Sequence, residues 1–237
     1  MGTWGIVVAA GAGSRFGGDK LTARVGSVRL VDRALEVARR ALDAVVLVVP
    51  PGAAWVGPDL AGAVTAVVPG GCRRSDSVRA GLGAVPTGAG EADVIVVHDA
   101  ARPFASVALY RAVIAAVADG ADGAVPALPV DDTIKRVSGR EVLETLARDE
   151  LVRVQTPQAF RSAVLRAAHA PGGDATDDAA LVERLGGRVV TVPGEVTNLK
   201  ITRPADLRVA RALLALGDED GRHEDGAVAG AGDGGPA

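Results

Sequence analysis

The chain has 237 residues, 48% of them hydrophobic, enough to bury a core as one domain. Its net charge of −3 is uneven: Asp218, Glu219, Asp220, Glu224, Asp225 and Asp233 stand against Arg222 in 217–237, so the remaining body carries +2. That is too mild for a nucleic-acid footprint, and aromatics at 3% leave little on which to stack bases. With Cys72 the only cysteine, no basic region at the start and no apolar run of ~18 residues, a soluble cytoplasmic protein without an internal disulfide is expected.

From Gly5 to Ala10 an apolar run predicts a buried parallel strand, which breaks into Gly11-Ala12-Gly13-Ser14-Arg15-Phe16-Gly17-Gly18-Asp19-Lys20. Such a loop suits phosphates. Glycine lets backbone N–H groups approach an anion with no Cβ in the way, while Arg15 and Lys20 supply charge. A dinucleotide fingerprint would need Gly where Phe16 stands, and a P-loop begun at Gly13 meets Asp19 after Gly18, leaving Lys20 one residue late. What remains, A-A-G-x-G-x-R and then Lys, resembles the signature loop of sugar-nucleotide type nucleotidyltransferases. Among 26 basic residues only Lys20, Lys135 and Lys200 are lysines, and a compact ammonium follows a moving phosphoryl oxygen more freely than a planar guanidinium.

Strand and helix then alternate. Leu30, Val31, Ala34, Leu35, Ala38 and Leu42 fall at helical spacing, Val45 to Val49 forms a second strand ending at Pro50-Pro51, and Val64 to Val68 a third. The third runs into the glycine turn at Gly70-Gly71, and a helix with Val78 and Leu82 inside follows. Val94 to Val97 is the fourth strand, ending in His98-Asp99-Ala100-Ala101-Arg102-Pro103. Four such repeats predict a three-layer, doubly wound α/β fold with a mostly parallel sheet, whose ligands bind at the carboxyl ends of the strands.

Ser106 is placed as the cap of a helix carrying Leu109, Val113, Ile114 and Val117, and Gly123 to Ala127 as a further strand. The pattern then changes: Thr133 to Val137, the turn pair Ser138-Gly139 and Val142 to Leu146 predict an inserted β-hairpin arm within about 131–150. Such a hairpin is marginal in water unless it packs on something, and a partner subunit is the expected surface. Val152 to Gln158 follows as a short strand and turn, then helices from about Arg161 to Ala168 and from Thr176-Asp177-Asp178, and a strand from Arg188 to Val192. A last helix is expected with Thr202 as cap and Pro204 in its first turn. The domain is drawn as 1–216, and the Gly-rich acidic segment 217–237 is expected to be disordered.

Taken together, A-A-G-x-G-x-R with Lys20, G-G-x-x-R-x-x-S-V (Gly70 to Val78), H-D-A-A-R-P (His98 to Pro103), T-P-Q (Thr156 to Gln158) and N-L-K-I-T-R-P (Asn198 to Pro204) make the chain similar to the 2-C-methyl-D-erythritol 4-phosphate cytidylyltransferase family. The resemblance covers Ile6 to Leu216 and implies a nucleotide-diphospho-sugar transferase-like fold, with CTP and a polyol phosphate as substrates. It implies Arg15 and Lys20 as stabilisers of the transition state, and Arg148 and Lys200 as residues positioning methylerythritol phosphate. By the same resemblance Ala9, Ala10, Gly11, Gly13, Gly71 and Ser77 hold the cytidine, while Asp99, Arg102 and Thr156 line the pocket. It also implies a homodimer with interlocked arms. Leu21, where relatives often carry Gln, and Cys72, where they commonly carry a polar residue, depart from the pattern.

The chemistry implied is attack by a phosphate monoester oxygen on the α-phosphorus of CTP with release of pyrophosphate, which needs no general base. Neutralisation by Lys20, Arg15 and a divalent ion, Mg²⁺, then carries catalysis, with Asp99 either touching the metal or bracing the Arg102 turn. Three histidines and one cysteine assemble no zinc cluster. A pentitol-phosphate cytidylyltransferase acting on ribitol 5-phosphate would share fold and motifs; a non-catalytic nucleotide-binding relative would lose Lys20 or Arg15, and both are present.

Overall fold

Neighbouring residues along the central strands belong to different cores, and this decides the architecture. Ile6, Val46 and Val97 join one buried cluster while Val7, Leu47 and Val96 join another, so the sheet is covered on both faces. The computed structural model describes residues 2–11, 16, 23–53, 64–86 and 93–226, the last ten of these by their backbone alone.

The first half runs β1 (Thr3–Val8), a two-residue pair β2 (Arg24–Val25) and β3 (Val28–Arg29), α1 (Leu30–Ala41), β4 (Ala44–Val49), β5 (Ala66–Pro69), α2 (Arg74–Ala84), β6 (Val94–Asp99) and α3 (Val107–Ala118). After it come β7 (Gly123–Pro129), the hairpin β8 (Lys135–Ser138) and β9 (Glu141–Thr145), β10 (Val152–Val154), β11 (Gln158–Arg161), α4 (Ser162–His169), α5 (Asp178–Arg184), β12 (Val189–Pro193) and α6 (Asp206–Gly226). The main sheet has the order β10-β7-β11-β6-β1-β4-β5, with β12 also on β7. β1 pairs in parallel with β4 and β6, as do β4 with β5 and β12 with β7. Leu35 of α1 and Tyr110 and Val113 of α3 fill one face; Val78 of α2, Leu165 of α4 and Val182 of α5 fill the other. The three-layer, mostly parallel α/β arrangement expected from the alternation is what the chain adopts.

Some details differ from expectation. β11 was expected as no more than a turn before a helix. It is instead a central strand, antiparallel to both β6 and β7 through Ala159 and Phe160. Two apolar residues between Gln158 and Arg161 carry no strand signal of their own, and long-range pairing supplies it. In the arm, Ser138 pairs with Glu141, so the turn is Gly139-Arg140 rather than Ser138-Gly139, with Gly139 left-handed at φ +58°. The last helix starts two residues after Pro204, and the Asp206 carboxylate accepts the N–H of Thr202 at 2.6 Å and of Arg203 at 2.8 Å. The Thr202 hydroxyl donates to the same carboxylate at 2.8 Å, so Asp206 ties down the segment leading into the helix, while the N–H groups of Asp206, Leu207 and Arg208 bond back to the carbonyls of Arg203, Pro204 and Ala205. α6 runs from Asp206 to Gly226. Residues 227–237 lie outside those described.

Two glycines of α2 respond oppositely to their surroundings. A Cβ on Gly81 would stand 2.5 Å from Ile6 Cγ2, whereas one on Gly83 meets nothing within 4 Å. Alanine normally stabilises a helix by about 0.5–1 kcal/mol over glycine. Gly83→Ala should therefore raise the urea-unfolding free energy by about that amount, and Gly81→Ala should lower it by about 1–2 kcal/mol through overpacking. Equal signs at the two positions would contradict this packing.

Candidate active site

The chain leaves β1 toward α1 and β4 on one side and returns to β6 on the other, so a crevice opens where β1 and β6 diverge. Val8 pairs with Asp99 across those two strands, which sets Ala9 to Gly11 beside the carboxylate. A cavity of about 700 Å³ lies there, lined by Ala9, Ala10 and Gly11 after β1, Gly70 and Gly71 after β5, Ser77 of α2, Asp99 of β6 and Lys200. Gly70 is required for close approach, because a Cβ on it would lie 2.4 Å from the Cβ of Ala10. Pro50, Pro51, Cys72 and Arg73 complete a rim not foreseen as part of the site.

Asp99 is the electrostatic centre. Its Oδ2 accepts from Lys200 Nζ at 2.6 Å and its Oδ1 from Arg74 Nε at 3.0 Å. Burial alone would push its carboxyl up, but Arg74 and Lys200 hold it well below the usual carboxylate range. Arg74 is reciprocally pinned in its charged form, since its two carboxylate partners outweigh the desolvation that opposes them. Lys200 reaches Asp99 because the Ile201 N–H donates to Ala101 O at 2.8 Å, tying the segment after β12 to the turn after β6.

Behind this wall His98, Thr156, Arg102 and Asn198 bond to one another, although Arg102 Nε and Asn198 Oδ1 stay buried without a partner. His98 Nε2 lies 3.1 Å from the carbonyl of Arg102, which can only accept, so this nitrogen carries the proton. Nδ1 is then the acceptor, and the Thr156 hydroxyl donates to it at 3.1 Å while accepting the Asp99 N–H at 3.1 Å. Neutral His98, buried and fully engaged, is framework. Thr156 and Arg102, expected on the pocket surface, are not among the residues lining the cavity. The hydroxyl of Thr156 is spent inside, and Arg102 Nη1 donates to Asn198 O at 2.8 Å, bracing the segment that delivers Lys200. Buried Asn198 donates in turn to Thr156 O at 2.9 Å.

Arg148 is not brought into this cavity by its own chain. It sits in a 3₁₀ turn after the arm, donating to Asp131 O at 2.5 Å, beside a separate hollow of about 480 Å³. Gly13, Arg15 and Lys20, with Leu21, lie outside the described residues. The residue that sequence reasoning left without a task is Arg74, although its place in G-G-x-x-R was the signal that could have marked it.

Residues 4–216 match the family model described as IspD: 2-C-methyl-D-erythritol 4-phosphate cytidylyltransferase. The chain belongs to this family. A curated member from Frankia casuarinae bearing that enzyme's name is 45% identical over 220 residues, covering 90% of this chain and 81% of the relative. A relative named bifunctional enzyme IspD/IspF, from Anaeromyxobacter dehalogenans, is 48% identical over 224 residues, covering 89% of this chain but 56% of the relative. The chain thus spans little more than half the length of such bifunctional relatives. The crystal structure of the Thermus thermophilus cytidylyltransferase superposes with a TM-score of 0.74 at 37% identity, covering 89% of this chain and 98% of that one.

Burial pushes the pKa of His98 from 6.5 down to about 4, while Asp99 beside it works the other way. The unfolded chain therefore binds one proton more than the folded chain between those values, so this stability is complete above pH 6.5 and falls as pH drops. From about pH 6.5 to 5, before the carboxylates titrate, urea-unfolding free energy should decline with a slope approaching ~1.4 kcal/mol per pH unit. His98→Gln should flatten that slope. A slope unchanged in the variant would assign it to another group.

Proposed function

We propose that this chain transfers CMP from CTP to 2-C-methyl-D-erythritol 4-phosphate, releasing pyrophosphate, in the non-mevalonate route to isoprenoid precursors. The observation that carries the reading is the Lys200–Asp99–Arg74 cluster set at the carboxyl ends of β1, β5 and β6, beside a glycine-lined cavity of nucleotide size, in a member of this family. The acceptor's phosphate oxygen is already anionic near neutral pH and attacks the α-phosphorus in line. Neutral, buried His98 has no part as a base.

The residues do the rest by position and charge. Backbone around Ala9 to Gly11 and Gly71, with Ser77, receives the cytidine; Lys200, held by Asp99, faces the acceptor phosphate; Arg15 and Lys20 stabilise charge on the α-phosphoryl group and the leaving pyrophosphate. Asp99 does not fit a resident metal. Both its oxygens are committed to cations, and among the described residues no group of three His, Cys, Asp or Glu could hold one. Mg²⁺ enters this reading with the substrate, as the triphosphate's own counter-ion. Among the described residues no helix is long and apolar enough to cross a membrane, and with a single cysteine we place the chain in the cytoplasm.

Turnover of CTP with methylerythritol phosphate and with ribitol 5-phosphate, side by side, tests the acceptor. The first should be preferred by at least about tenfold in kcat/KM. Preference for ribitol phosphate would shift the assignment, and no turnover with either would sink it.

The arm supports a homodimer. β8 and β9 form a sheet of their own, and Val137, Val142 and Leu143 are each more than half exposed. Since Arg148 follows the arm and lies apart from the cavity, we assign Arg148 of one protomer to the pocket of its partner. In a heterodimer of a Lys20→Ala chain with an Arg148→Ala chain, both lesions then fall in one site and leave the other intact. Such mixed dimers should recover up to about half of wild-type activity per dimer. Verified heterodimers no more active than either parent would rule out a shared site.

A further inference from the structure

Arg74 opens α2 with its guanidinium stretched between two carboxylates. Besides the Nε contact to Asp99, its Nη1 donates to Asp178 Oδ2 at 2.8 Å, while Nη2 is buried with no hydrogen-bond partner. Asp178 is the first residue of α5, its side chain 1% exposed and absent from the cavity lining. Its other oxygen, Oδ1, lies 3.0 Å from His169 Nε2, so neither oxygen is left for a ligand.

The segment that carries Asp178 is lashed in place. Ser75 Oγ donates to Asp174 Oδ1 at 2.8 Å and Arg79 Nη1 to Gly173 O at 3.1 Å, both from α2. Gln158 of β11 donates to Asp177 Oδ2 at 3.1 Å, and the other oxygen of Asp177 caps α5 by accepting the Ala180 N–H at 3.0 Å. A buried carboxylate is costly to desolvate, and a neutral side chain of similar size would fill the same volume. The planar fork of Arg74 gives the charge a purpose: fixing one nitrogen against Asp178 fixes the angle of the rest, hence the place of Asp99 Oδ1, and through Oδ2 the place of Lys200 Nζ.

We propose that Asp178 is a positioning residue for nucleotidyl transfer, acting through Arg74 and Asp99 to hold the Lys200 ammonium against the acceptor phosphate. This rests on the transferase reading above. Without Asp178 the Arg74 fork pivots, Asp99 turns with it, and the ammonium roams on its four-carbon stem. The effect falls on the acceptor and spares CTP.

Steady-state kinetics with CTP and methylerythritol phosphate test this on the full chain, Asp178→Asn, Lys200→Met and the double variant, with folded fraction followed by circular dichroism. Asp178→Asn should raise the acceptor KM about tenfold or more, leave the CTP KM within about twofold, and add almost nothing to the loss caused by Lys200→Met. Arg74→Lys keeps the charge but lacks the fork, and should raise the acceptor KM in the same way; it carries the test if Asp178→Asn does not fold. A fall in kcat that merely tracks the folded fraction, with both KM values unchanged, would make Asp178 structural and overturn the proposal. So would losses that multiply in the double variant, or an Arg74→Lys chain with an unaltered acceptor KM. No turnover by the unaltered chain would overturn the transferase reading and this role together, whereas turnover with multiplying losses would overturn this role alone.

Discussion

Asp99 is an anion taken almost wholly out of water, and the region around it is arranged to make that tolerable. An isolated buried carboxylate would protonate or unfold its surroundings; here one oxygen meets Arg74 and the other Lys200. The two cations come from opposite ends of the chain order, Arg74 ahead of β6 and Lys200 after β12. One charge thereby draws the start of α2, the end of β6 and the segment leading to α6 to a single point. The backbone N–H of Asp99 is also used, by Thr156 from ahead of β11, so four stretches of chain converge on one residue.

The same logic extends inward. His98 is neutral because burial disfavours its charged form, and both ring nitrogens are engaged by the Arg102 carbonyl and the Thr156 hydroxyl, with Tyr110 near its ring at a centroid distance of 5.5 Å. Gln155, Asn198 and Arg102 then join the turn before β11 to the segment carrying Lys200. Networks of this kind, when satisfied, restrict a core to one geometry. A site that works by placing charges within tenths of an ångström has use for such rigidity.

Elements with a local cause were legible in the sequence. β1, β4 and β6 announce themselves as unbroken apolar runs, α1 by its period, α3 by the Ser106 cap that accepts the Leu109 N–H at 3.0 Å, and the glycines of the turn after β5 by their place between a strand and a helix. β11 was not legible, since its strand character lies in neighbours some 60 residues away in β6. The site divided in the same way. Asp99, Lys200 and the glycine turns stood out by motif and by the scarcity of lysine, while the role of Arg74 depends on Asp178, 104 residues further on. Thr156 and Arg102 were recognised by position, but only coordinates show that their polar atoms turn toward the framework.

The distance along the chain between Asp99 and Lys200, 101 residues, also bears on how the protein is made. On the ribosome the strands β1, β4 and β6 are available long before Lys200 emerges, so a sheet can assemble while its strand-end carboxylate still lacks one of its two cations. Arg74 is already present at that stage and Asp178 is not. The nascent crevice then holds the Asp99–Arg74 pair without Lys200 or the Asp178 brace until nearly the whole domain has been synthesised, and the final apolar residues, Ile201 with Ala210 of α6, close over Val25 and Leu30 only then. Completion of the charge cluster and completion of the fold become the same late event.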